Sequence, residues 1–192
     1  MTDTEALVEM PEQTDPRSDQ QLIAEINSGN AAAFEVLYRR YRNWVVDLAC
    51  RFTGSEDLAL DVMQETFLYL LRKFPGFKLT AQLKTFLYPA VRNLSISART
   101  RAGRLISTES EQSFLETIPA DAALAEPGAG LHAALSNLSS EHREVLWLRF
   151  VDDLSLAEIA GATGVPLGTV KSRMHHALES LRRDPRTKRF FE

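Results

Sequence analysis

The sequence predicts an all-α chain of two small helical domains joined by a flexible acidic linker. Three observations predict it. Apolar residues recur three and four positions apart along most of the chain, and no strand-like alternation competes with them. Ser or Asn precedes most of the apolar runs, where a helix cap would stand. Glycine (9) and proline (8) are sparse in 192 residues, too few to punctuate an all-β sandwich.

The elements follow in order. Ser18-Asp19-Gln20-Gln21 has capping-box spacing and opens a short helix with Leu22, Ile23 and Ile26 inward, ended by Gly29-Asn30. Asn30 caps a longer helix striped by Phe34, Leu37, Tyr38, Tyr41, Val45, Leu48 and Phe52, which Thr53-Gly54 stops. Ser55 caps a third, whose Leu60, Met63, Phe67, Leu70, Leu71 and Phe74 read as a continuous buried stripe ending before Pro75. A fourth runs from about residue 80 to 101 and turns Leu83, Leu87, Ala90, Val91, Leu94 and Ala98 to one face. Pro89 lies inside it and predicts a kink or break. Residues 107–130, rich in Ser, Ala, Glu and Gly, carry no apolar stripe and read as linker. Ser139-Ser140 then caps a helix whose apolar content is Val145, Leu146, Leu148 and Phe150. Ser155-x-x-Glu158 is a second capping box, opening a short helix that buries Leu156, Ile159 and Ala160. Gly164 permits a positive-φ turn, and Pro166 suits the first turn of the last helix. Ala160, Gly164 and Val170 supply the close crossing, the turn and the core closure of a helix-turn-helix.

Composition narrows the function classes. No apolar run is long enough to cross a bilayer, and residues 1–19 lack the pattern of a signal peptide, so no membrane insertion is expected. The single Cys50 fits a reducing cytoplasm, and four scattered histidines do not make a zinc site. Neither a Ser/His/Asp set nor a nucleotide-binding glycine loop is present, so the expectation is no enzyme, no cofactor and no metal. The net charge of −4 conceals a division. Residues 1–19 hold six acids against Arg17, and residues 105–130 hold five acids and no base. Residues 20–104 hold twelve bases against seven acids. The chain thus divides into an acidic tail (1–18), a helical domain (19–104), an acidic linker (105–130) and a second helical domain (131–192). The acidic segments serve solubility, or cover the basic faces of the free protein.

Three faces carry the functional signal. Asp61, Gln64, Glu65 and Leu68 share one side of the third helix, out of phase with its buried stripe. Their spacing suits either a solvated face or a docking surface whose acids accept from a partner's arginines while Leu68 adds apolar area. The fourth helix has the opposite sign: Lys84, Arg92, Arg99, Arg101 and Arg104, with no acid between Glu65 and Glu109. Tyr88, Asn93, Ser95, Ser97 and Thr100 are interleaved, and Phe86 is assigned to the core. Cations track phosphates while amides, hydroxyls and rings read or stack bases, so this cluster points to nucleic acid. The last helix presents Thr169, Lys171, Ser172, Arg173, His175 and His176, suited to phosphate and base-edge contact in a major groove. His175 and His176 diverge by ~100° around the helix and read as surface groups rather than metal ligands. An autonomous helix-turn-helix regulator would account for residues 139–184 alone, and an interaction adaptor for the Asp61 face alone.

Four stretches, AFEVLYRRYRNWV, ALDVMQETFLYLLRKFPGF, FLYPAVRNLSISARTRAGR and LSSEHREVLWLRFVDDLSLAEIAGATGVPLGTVKSRMHHALESLRR, closely resemble the extracytoplasmic-function (ECF) group of bacterial RNA polymerase sigma factors. The resemblance spans about residues 19–104 and 131–184 in the family's order and spacing. It implies a sigma region 2 bundle and a sigma region 4 helix-turn-helix. In the family the face matching Asp61, Gln64, Glu65 and Leu68 docks on the β′ clamp helices of core polymerase. The helix and loop around residues 87–104 read the −10 element, with the Asn93 position near the loop that captures a flipped base. That assigns −10 contacts to Lys84, Tyr88, Arg92, Asn93, Ser97, Arg99, Arg101 and Arg104. The helix from Pro166 to Leu181 reads the −35 element, so Thr169, Lys171, Ser172, Arg173, His175 and His176 inherit major-groove contacts. Further implied partners are the β flap, promoter DNA and an anti-sigma factor, with the acidic linker threading the RNA-exit path. Family members commonly carry Trp where this chain has Phe86, and an aliphatic or polar residue where it has Pro89.

Overall fold

A computed structural model describes residues 15–106 and 129–188. The tail up to residue 14 and linker residues 107–128, with the masking role suggested for them, lie outside the described residues. The described residues form eight helices and no strand: α1 (Asp19–Asn27), α2 (Ala31–Thr53), α3 (Glu56–Leu71), α4 (Leu83–Ile106), α5 (Ala129–Ser136), α6 (Ser140–Phe150), α7 (Leu156–Thr163) and α8 (Leu167–Arg183).

Local chemistry sets most of the boundaries. Ser18 and Gln21 close a reciprocal capping box, the Ser18 hydroxyl accepting from the Gln21 N–H and Gln21 Oε1 from the Ser18 N–H. Asn30 and Ser55 cap α2 and α3 with one bond each, accepting from the N–H groups of Ala32 and Leu58, and Gly54 ends α2 in the left-handed conformation at φ 67°. Leu22, Leu37, Val45, Leu48, Val62, Leu70, Leu87 and Val91 form the core of α1–α4. Arg40 of α2 holds α1 in place: it pairs with Asp19 at 2.6 Å and donates to the carbonyls of Asp15 and Arg17.

The loop between α3 and α4 is tied to α1 by one side chain. Asn27 Oδ1 accepts from the N–H groups of Gly76 (2.6 Å) and Phe77 (3.2 Å), and its Nδ2 donates to the Phe77 carbonyl (2.9 Å). Phe77 in turn lies 4.7 Å from Phe86, which stacks on Tyr69 at 5.8 Å, so Phe86 packs half-buried against the core to which it was assigned. This seat fixes the angle at which α4 leaves α3.

In the second unit Ser139 caps α6, and Ser155 with Glu158 forms the expected capping box on α7. Gly164 turns the chain at φ 71°, and α8 starts at Leu167 with Pro166 at the cap position, one residue outside the first turn expected for it. Val145, Leu146, Leu148, Ile159, Ala162, Val170, Met174, Ala177 and Leu181 are the core between α6, α7 and α8.

Three details differ from the sequence reading. Leu60 and Leu71 are exposed, because α3 is packed from both sides by α2 and α4 and its buried sector is centred on Ala59, Val62, Thr66 and Leu70. Phe150 is 64% exposed, since α6 ends there and the core contacts are already made by Val145 and Leu148. Of the kink or break expected at Pro89 the break does not occur, and the fourth helix continues to Ile106. Proline fits helical φ and deprives only one carbonyl of its donor, a loss that packing of Leu83, Leu87 and Val91 outweighs.

Candidate nucleic-acid interface

The acidic face of α3 is open. Asp61 and Gln64 are exposed, Glu65 half-buried, and Leu68 50% exposed, one turn along from Glu65. Arg101 of α4 reaches Glu65 at 3.4 Å, an exposed pair of small energetic weight. Between α3 and α4 runs a groove of about 540 Å³ in which Glu65 and Leu68 stand beside Asn93 and Leu94. The docking face and the −10 face expected from sequence therefore meet along one channel.

The expected −10 residues separate into two sets. Asn93, Ser97 and Arg101 recur every fourth position, all exposed, and form one row along α4. Arg99 is anchored, donating to the Phe52 carbonyl at the end of α2 (3.1 Å). The Arg104 side chain lies outside the described residues. Lys84, Tyr88 and Arg92 face the second unit instead. Tyr88 is only 1% exposed, and this corrects its reading as a surface base-stacking group: its ring packs against Phe52 and its hydroxyl donates to Glu144 of α6. Burial and the adjacent Glu144 carboxylate push that phenol well above its ordinary pKa, so it stays protonated. Arg92 lies 3.7 Å from the same carboxylate.

On α8 the expected −35 residues are all presented outward. Thr169, Lys171, Ser172, His175 and His176 are exposed and Arg173 half-buried, while Val170, Met174 and Ala177 face the core. The His175 and His176 rings lie 5.6 Å apart, and no group of three or more metal-ligating side chains occurs among the described residues.

Sequence reasoning missed the residues that join the two units. Asp152, in the loop between α6 and α7, is 0% exposed, with its carboxylate turned into the N-terminal unit. It accepts from Trp44 Nε1 (2.7 Å) and from both terminal nitrogens of Arg51 (3.0 and 3.2 Å), while its carbonyl accepts from Lys84 Nζ (2.9 Å). Arg51 also lies over the Trp147 ring at 5.3 Å. Alongside, α4 packs on α7, with Thr85 Cγ2 3.6 Å from the point where a Cβ on Gly161 would stand. The one local clue was the tandem Asp152-Asp153, where Asp153 adopts φ 60° to turn the loop.

Comparison with known proteins identifies the family of both units. Residues 37–105 match Sigma-70 region 2, and residues 134–183 match Sigma-70, region 4. The chain is 27% identical over 177 residues to the ECF RNA polymerase sigma factor SigW of Bacillus subtilis, covering 85% of this chain and 95% of that one. It is 30% identical over 176 residues to the RNA polymerase sigma-H factor of Pseudomonas aeruginosa, covering 85% and 91%. Its fold resembles that of CnrH in complex with the cytosolic domain of CnrY (TM-score 0.60, 24% identity, 84% and 93% covered). It also resembles the sigma factor RpoE in complex with the anti-sigma factor NepR from Bartonella quintana (TM-score 0.56, 24% identity, 78% and 94% covered).

Proposed function

The chain belongs to the ECF group of RNA polymerase sigma factors, and from that membership we propose which of its faces meets polymerase and which meets promoter DNA. A sigma factor binds core polymerase and directs it to promoters. We assign no covalent step to this chain, because phosphodiester chemistry belongs to the polymerase. Residues 19–104 would dock on polymerase and read the −10 element, residues 131–192 would read the −35 element, and residues 105–130 would link them. The place of work is then the cytoplasm. No helix among the described residues is long and apolar enough to cross a membrane.

One observation carries the assignment. α3 and α8 each bury one face completely and expose a second face of consistent chemistry, acidic with Leu68 on α3 and cationic with hydroxyls on α8. On α3, Asp61 and Glu65 would accept from arginines of the polymerase clamp, and Leu68 would seat against apolar surface. Along α4, Asn93 and Ser97 would contact a base that has left the stack, with Arg101 on phosphate. On α8, Lys171 and Arg173 would hold the backbone and base edges of the −35 major groove. The structural neighbours named above were solved with CnrY and with NepR bound. We extend that to this chain and propose control by an anti-sigma factor.

Promoter-directed transcription in vitro tests the assignment, with core polymerase alone, with the chain, and with Asp61→Ala/Glu65→Ala. Each lost hydrogen bond to a carboxylate is worth ~1.5 kcal/mol or more, so core binding should weaken about a hundredfold. Both positions are exposed or half-buried, so thermal stability should stay unchanged. Full initiation by the double variant would remove the α3 face from the docking role. Specific duplex binding without any gain in initiation would favour an autonomous regulator.

A further inference from the structure

A third histidine joins the two on α8. The ring of His142, near the start of α6, lies 6.2 Å from that of His176, and His176 lies 5.6 Å from His175. His175 and His176 are exposed and His142 is half-buried. The three rings form a chain that runs from α8 onto α6.

Position around the helix decides what these rings can meet. A helix about 10–12 Å across fills a major groove about 12 Å wide, so its tip meets base edges and its flanks meet phosphates. Val170, Met174, Ala177 and Leu181 are buried against the core. At ~100° per residue, that puts Ser172 opposite the core and Arg173 and His176 on one flank. This is the flank towards α6, where His142 lies beside His176 and the Glu141 carboxylate feels the charge of Arg173. Residues of α6 therefore share the side of α8 that belongs to phosphate.

Charge supplies the second reason. An imidazole gains or loses its charge between about pH 5 and pH 8. The acids beside the cluster already have partners. Hydrogen bonds to Glu141 from its own backbone N–H and the Ser139 and Ser140 hydroxyls, then the Arg173 charge, hold its carboxyl below the usual carboxylate range. Glu179 pairs with Arg183 at 2.7 Å. The one ionisable side chain of α7, Glu158, is held by Ser155. The remaining charged neighbours on α8 are the cations Lys171 and Arg173. Charged imidazoles here repel one another and those two cations, and a DNA phosphate is the anion that relieves the repulsion.

We propose that His142 extends the −35 surface from α8 onto α6 as a phosphate-binding residue, and that His142, His175 and His176 take up protons as duplex DNA binds. The proposal rests on the reading of α8 as the −35 helix. Because the complex holds more protons than the free chain, binding strengthens as pH falls. An exposed ion pair strengthens binding by up to about fivefold, so three contacts of about threefold each make about thirtyfold between about pH 8 and pH 6.

Fluorescence anisotropy of the full chain with a labelled mixed-sequence duplex tests this, at constant ionic strength from about pH 6 to about pH 8. Wild type should bind about thirtyfold tighter at the acid end, with a slope of log K against log salt steeper there by ~1 or more. His142→Gln keeps a polar side chain that does not titrate. It should lose about threefold at the acid end and little at the alkaline end. The triple variant His142→Gln/His175→Gln/His176→Gln should give a nearly flat profile, and any dependence left in it belongs to His132 on α5. Calorimetry in two buffers of different ionisation enthalpy should show protons taken up on binding by wild type and fewer by the triple variant. Circular dichroism melting at both ends of the range checks that each variant folds. A flat wild-type profile overturns the proton uptake. A pH-dependent wild type that His142→Gln leaves unchanged overturns the extension onto α6. Lys171→Ala separates these failures from failure of the underlying reading: unchanged affinity at both ends would remove α8 as a DNA-binding helix.

Discussion

Replacing Asn27 by alanine removes three hydrogen bonds at once and loosens the seat of the α3–α4 loop. Each bond has a net value of about 1 kcal/mol in a folded protein, which sets an upper limit of ~3 kcal/mol. The Gly76 N–H is exposed, so water replaces its partner and its share is small. The Phe77 N–H and carbonyl are part-buried, and they keep most of theirs. The expected cost is therefore ~2 kcal/mol, a fall in melting temperature of ~4–8 °C for a chain of this size. Asn27→Asp supplies the control. It retains the acceptor for both N–H groups but sets a carboxylate oxygen against the Phe77 carbonyl, so it should cost at least the ~1 kcal/mol of the one lost bond. Thermal and urea denaturation followed by circular dichroism measure both. Because the loop sets the angle between α3 and α4, the helices proposed for docking and for the −10 element, initiation in vitro should fall with Asn27→Ala by more than the unfolded fraction explains. An alanine variant within ~0.5 kcal/mol of wild type would refute the claim that Asn27 holds this loop.

Three other outcomes follow from the geometry. Gly164→Ala should cost ~1 kcal/mol, since a Cβ there meets nothing within 4 Å and only the positive φ is unfavourable; Gly164→Asn should cost less, and equal melting curves for glycine and alanine would contradict this. Lys171→Ala should weaken duplex binding about equally on all sequences and reduce the slope of log K against log salt by ~1, measured by anisotropy titration over a salt series. The Asp15 carboxyl, held by hydrogen bonds from the Arg17 side chain and N–H, is lowered from 3.8 to about 2. A depressed carboxylate stabilises the fold above its unfolded pKa, and that contribution is lost as pH falls through about 2. An NMR titration of Asp15 should return towards 3.8 in Arg17→Ala.

Legibility tracked the range of the interaction. Helix starts at Ser18, Asn30, Ser55, Ser139 and Ser155 were readable because a cap bonds to an N–H two or three residues away. The turn at Gly164 was readable because only glycine adopts φ 71° without strain. The exposed sides of α3 and α8 followed from helical periodicity once the opposite side was apolar. Misreadings arose where several neighbours compete for one helix. Leu60 and Leu71 have the hydrophobicity of core residues, yet the placing of α2 and α4 around α3 leaves them outside.

Alone, then, the amino-acid sequence determined seven of the eight helices described, the helix-turn-helix and the faces that carry charge, which depend on contacts within a turn or two, but not α5. The tertiary structure decided what those faces touch. Trp44 and Asp152 are 108 residues apart, and Tyr88 and Glu144 are 56 apart. No spacing rule connects such pairs, because a buried carboxylate is stabilised by whichever donors the fold delivers to it. That is why Lys84 and Arg92 read from the sequence as open cations on a DNA-binding helix. In the fold they already hold an oxygen partner from the other half of the chain.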